Sequence, residues 1–105
     1  MRTILIVLAF AAAASAVQAA DTGTGKAVYN KSCKSCHGPD GTANPAVAKM
    51  MKVDIKDLKS ADVQAMSDDD LKKIITEGKG KMKPVASVSG SAVENVIAYI
   101  RTWKK

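Results

Sequence analysis

The residues in this chain best suited to chemistry are five in a row, Cys33-Lys34-Ser35-Cys36-His37. Two thiols three positions apart, followed at once by an imidazole, can add to the two vinyl groups of a haem and bring a nitrogen to its iron. The spacing predicts covalent attachment of one haem c, with Cys33 and Cys36 as the thioether residues and His37 as an axial iron ligand. C-x-x-C also serves as half a zinc site or as a redox or structural disulfide. A structural zinc site takes four Cys or His ligands, and this chain has two Cys and one His. A thioredoxin-type pair lies where a strand of a βαβ unit enters a helix, and no parallel-strand run flanks this motif.

Met82 is the second candidate, set in Gly78-Lys79-Gly80-Lys81-Met82-Lys83-Pro84. That stretch has neither helical nor strand periodicity and reads as an exposed loop, where a Met among lysines has no packing role. A thioether opposite the imidazole is a soft ligand that favours ferrous iron, raises the potential and closes the site to small ligands. Met50, Met51 and Met66 offer the same sulfur, but each has a place in an apolar pattern. Met82 is therefore expected as the sixth ligand, against the alternative of a stray surface methionine.

The elements that must hold these residues read as short helices. Hydroxyls at Thr22 and Thr24 can cap a helix through Lys26–Ser32 that runs into the motif, with Tyr29, Cys33 and Cys36 on one face. Gly38, Pro39 and Gly41 break it, and Pro45 suits the first turn of a helix with Val47, Met50 and Met51 on its apolar side. Asp54–Leu58 reads as another brief helical turn. Ser67 followed by three Asp predicts a capped helix with Leu71, Ile74 and Ile75 inward, Met66 and Leu71 as its hydrophobic staple and Gly78 as its stop. Ser91 and Glu94 suggest a capping box for a last helix presenting Val93, Val96, Ile97, Ile100 and Trp103. No strand alternation, repeat or low-complexity stretch interrupts this, so the fold class is all-α.

Composition narrows the setting. Arg2, the apolar run from Ile4 to Phe10 and the small residues at Val17 and Ala19 form a signal peptide expected to be cleaved after residue 19, leaving one domain at 20–105. Periplasmic localisation follows, without stable membrane insertion after cleavage. The full chain has 16 Lys and Arg against 10 Asp and Glu. The lysines are dispersed and the mature aromatics are Tyr29, Tyr99 and Trp103, which argues against nucleic acid and for an acidic protein partner. So small a chain buries little apolar surface, and a haem would complete its core.

In the order Gly25, Tyr29, Cys33 to His37, Gly38, Gly41, Leu71 to Gly78, Met82 and Tyr99-Ile100, the chain resembles a class I c-type cytochrome of the small bacterial monohaem type. The resemblance covers essentially the whole of residues 20–105. It implies a cytochrome c fold with N- and C-terminal helices crossing, Gly25 near the contact and Tyr99 opposite. It also implies that a proline carbonyl after the motif accepts the His37 Nδ1 proton, with Pro45 the best match. Two departures stand out: Lys83 separates Met82 from Pro84 where the family commonly has Met-Pro, and Trp103 is no counterpart of the tryptophan that often touches a propionate.

The function expected is that of a monomeric, soluble one-electron carrier that is not an enzyme. The alternatives are a haem sensor or enzyme with a labile sixth ligand, and a small cytochrome subunit of a larger dehydrogenase or oxidase.

Overall fold

The computed structural model describes residues 20–104, and the expected signal peptide lies outside them. Six helices follow in order: α1 (Thr22–Ser32), α2 (Lys34–His37), α3 (Pro45–Met51), α4 (Ala61–Gln64), α5 (Asp68–Glu77) and α6 (Ser91–Arg101). Among the described residues the nearest thing to a strand is an isolated antiparallel bridge between Lys79 and Met82. The all-α expectation holds.

The core forms where the first and last helices of the described residues meet, because α1 packs chiefly on α6 and α5 also packs on α6. Tyr29, Val63, Leu71, Ile75, Val88, Val93, Val96, Ile97 and Ile100 are its buried apolar residues. The contact is close because residue 25 is glycine: a Cβ there would collide with the Asn95 carbonyl and lie 3.0 Å from the Tyr99 Cβ. A second tie crosses the same junction, where the Asp21 backbone N–H donates to the Asn95 side-chain oxygen at 2.9 Å.

Helix starts follow side-chain chemistry, though not always at the expected residue. Asp21, rather than Thr22 or Thr24, caps α1, its carboxylate accepting from the N–H groups of Gly23 and Thr24. Ser67 caps α5 through the Asp70 N–H at 3.1 Å, and Gly78 ends it. Met66 is half-buried against the core and Leu71 is buried, as a staple requires.

The capping box at α6 does not form. Ser91 is already inside the helix, and the cap is Gly90 at φ 58, whose lack of a side chain leaves no hydroxyl to accept an N–H. Asp54–Leu58 is irregular rather than helical. The following helix, α4, starts at the unforeseen cap Ser60, whose hydroxyl accepts from the Val63 N–H at 3.4 Å.

Behind α4 a polar latch fixes the chain to α6. Gln64 is buried and its amide donates to the carbonyls of Leu58 and Ile100 at 2.9 and 3.0 Å. Arg101 donates to the carbonyls of Gln64 and Met66 and pairs with Asp68 at 2.9 Å. An irregular segment between two short helices is held by these bonds where apolar burial is thin.

Candidate haem attachment site

The attachment motif straddles a break. Cys33 still donates its N–H to the Tyr29 carbonyl at 2.9 Å, but at φ −121° and ψ −32° it ends α1 instead of continuing it. A new turn, α2, then starts, with the Cys36 and His37 N–H groups both directed at the Cys33 carbonyl, at 3.3 and 3.0 Å. The expected single helical face of Tyr29, Cys33 and Cys36 is thus two faces joined at Cys33. The tightened turn gathers both cysteines and the histidine within five residues of backbone.

Both cysteines are free thiols, half-buried and not joined in a disulfide. Burial, and then the neighbouring Cys36, push the Cys33 thiol up to about 11. Desolvation lowers the His37 pKa, which favours the neutral imidazole, the form that can donate a lone pair to a metal. Its Nδ1 is buried without a hydrogen-bond partner among the described residues. Pro45 opens α3 beneath the Asn44 cap, whose side chain accepts from the Ala46 N–H at 3.1 Å, and the Pro45 carbonyl makes no bond to His37.

Tyr29 supports the motif from behind. Its hydroxyl donates to the Gly38 carbonyl at 2.6 Å, and burial raises its pKa. Its ring sits edge-on to Tyr99 and Trp103, with centroids 5.5 and 5.2 Å away. Trp103 thus belongs to an aromatic cluster at the α1–α6 junction.

Met82 lies in a turn held at both ends: Lys79 N–H to the Met82 carbonyl at 2.9 Å and Met82 N–H to the Lys79 carbonyl at 3.0 Å. Gly78, at φ 80, precedes it in a conformation that L side chains rarely adopt, and a Cβ there would lie 2.6 Å from the Met82 carbonyl. The Met82 side chain is half-buried yet outside the core cluster. Met66 packs against the core, whereas Met50 is 75% exposed to the surroundings of the protein chain. On this short helix Val47 and Met51, about one turn apart, are half-buried.

These residues fit a haem. The His37 imidazole, whose desolvation favours its neutral form, and two undisulfided thiols in one turn form the donor set that covalent attachment uses. Val47, Val53, Ile55 and Met82 are apolar, incompletely covered and outside the core, as expected of side chains whose apolar partner is a cofactor.

The family model for subunit III of cbb3-type cytochrome c oxidase matches residues 20–100. A solved structure, the c-type cytochrome KustC0563, superposes with a TM-score of 0.64 at 27% identity, covering 77% of this chain and 98% of its own. No curated protein matches the chain in sequence. The chain belongs to the family of c-type cytochrome domains that the matching model describes, and it is a small class I cytochrome. Its cofactor is a covalently bound haem c with iron, and it carries electrons to and from redox partners. Among the described residues no helix is long and apolar enough to cross a membrane.

Sequence reasoning missed Gln64, Arg101 and the Tyr29 hydroxyl bond. Gln64 and Arg101 bond the carbonyls of Ile100 and Gln64 from the other end of the domain, Tyr29 bonds Gly38 across the attachment motif, and nothing in local composition marks such partners.

Proposed function

We propose that the chain is a diffusible one-electron carrier with no catalysis of its own, its iron held between His37 and Met82. The observation that carries the ligand assignment is the contrast among the methionines. Met50 is exposed on α3, Met66 packs against the core and Met51 is half-buried on α3 with Val47, while Met82 alone sits in a loop turn closed by two backbone bonds. With both axial positions filled by protein, the haem supplies electron transfer with little rearrangement and no position for substrate. Cleavage after residue 19 would deliver a monomer to the periplasm. The exposed Lys34, Lys79 and Lys83 would orient an acidic partner there.

The test is ligand access. Carbon monoxide added to the reduced wild type should bind slowly and weakly, and Met82→Ala should bind it readily while losing the Met-to-iron(III) charge-transfer absorption. Rapid, tight binding by the wild type would favour a haem sensor instead.

A second reading draws on the matching family, whose description names an oxidase subunit. The same electron chemistry would then serve a stable complex. KustC0563, nearly all of whose chain is covered, favours a free-standing domain. Size-exclusion of native extract separates the two, since a carrier elutes alone.

A further inference from the structure

We propose that Lys81 is a positioning residue, a clasp that holds the Met82 turn against the C-terminal end of α3; this rests on the reading of Met82 as the iron ligand. Lys81 Nζ donates to the Met51 carbonyl at 2.6 Å, across 30 residues of sequence. Among the described residues it is the one side-chain hydrogen bond between the 79–82 turn and α3.

The acceptor is chemically suited to it. Met51 is the last residue of α3, where carbonyls run out of helical N–H partners and carry the negative end of the helix dipole. The chain closes that end with the left-handed Lys52, at φ 54, whose N–H goes to the carbonyls of Ala48 and Lys49, while the Val53 N–H returns to Ala48. Among the described residues no backbone N–H reaches the Met51 carbonyl, and the Lys81 ammonium takes its place.

The turn transmits what the clasp fixes. Lys81 immediately precedes Met82, and the two backbone bonds between Lys79 and Met82 make the four residues one unit. Anchoring the ammonium on α3 therefore limits how far the Met82 sulfur can swing. All three lysines around Met82 are exposed, but Lys79 and Lys83 make no side-chain bond among the described residues, whereas the Lys81 ammonium is committed to the Met51 carbonyl. The Lys83 insertion before Pro84 gives this weight, because Pro84 no longer directly follows Met82 to stiffen the backbone.

Imidazole titrated into the ferric holoprotein, followed by the Met-to-iron charge-transfer absorption, measures how readily Met82 is displaced. Lys81→Gln should raise the apparent imidazole affinity about three- to tenfold, as expected for loss of one charge-assisted bond that favours the closed state. Lys81→Arg should restore most of the wild-type value. Lys83→Gln removes the same charge on the other side of Met82 without touching the clasp, and should change affinity by less than about twofold. Equal effects of Lys81→Gln and Lys83→Gln, or no effect of Lys81→Gln beside a Met82→Ala that loses the absorption, would overturn the clasp alone. An intact absorption in Met82→Ala would overturn the ligand reading and the clasp with it.

Discussion

The hydroxyl of Tyr29 ends on the carbonyl of Gly38, 2.6 Å away, so a fully buried side chain of α1 holds the residue directly after His37. The bond joins the core to the chain's turn away from the attachment motif. It couples the packing of α1 on α6 to the orientation of the imidazole.

Tyr29→Phe keeps the ring against Tyr99 and Trp103 but leaves the Gly38 carbonyl without its donor. The expected cost is about 1–3 kcal/mol in urea unfolding of the holoprotein. A variant as stable as wild type would show that the hydroxyl bond is dispensable.

Gly25→Ala places a methyl group where the Asn95 carbonyl now lies. Neither backbone can yield without separating α1 from α6, so a loss of about 1–3 kcal/mol is expected. The Tyr99 and Trp103 environments should change together in near-ultraviolet circular dichroism. A local adjustment confined to α1 would leave the aromatic signal unaltered.

Asp40 is exposed, and its pKa is lowered below 3.8 by the Thr42 N–H first and then by the Lys59 ammonium. A carboxylate with a depressed folded pKa adds stability that is present above the unfolded value and disappears as pH falls through the folded one. Asp40→Asn should therefore weaken the protein at neutral pH and flatten the acid limb of its stability curve below pH about 4. Parallel curves for variant and wild type below that pH would count against the linkage.

The side-chain ammoniums of Lys79 and Lys83 have no hydrogen-bonded partner among the described residues, and the two residues lie on either side of Met82. Replacing both by Gln should lower the bimolecular rate with an acidic redox partner and reduce its dependence on ionic strength, because steering acts over a screening length of roughly 8 Å. Stopped-flow rates at several salt concentrations measure this. An unchanged salt slope would show that the partner docks elsewhere.

Much of the frame was readable from local chemistry. The pentapeptide at 33–37, the Ser67 cap and the apolar stripe from Val93 to Ile100 each carry their cause within one or two turns of chain. The errors fell where two local signals competed or where the partner was remote. Ser91 and Glu94 spell a capping box, but the chain enters α6 one residue earlier through Gly90, and Asp21 outcompetes two threonines because its carboxylate reaches two N–H groups. In the sequence Lys81 is one of three lysines around Met82, with nothing local to set it apart from Lys79 and Lys83. Its role depends on where α3 happens to end, 30 residues upstream, which periodicity does not encode.

The meeting of α1 with α6 also sets an order of assembly. The buried residues Val93, Val96, Ile97 and Ile100 all come from α6, so the core that shelters Tyr29 cannot close until residues 93–100 have joined it. Until then the loop to be closed spans most of the protein, and its entropy disfavours early folding. Cys33 ends half-buried against that core, so closing the helix pair narrows the approach to its thiol. Once a thioether is made at Cys33, the docked helix pair packs over one side of it and acts as a lock on that bond.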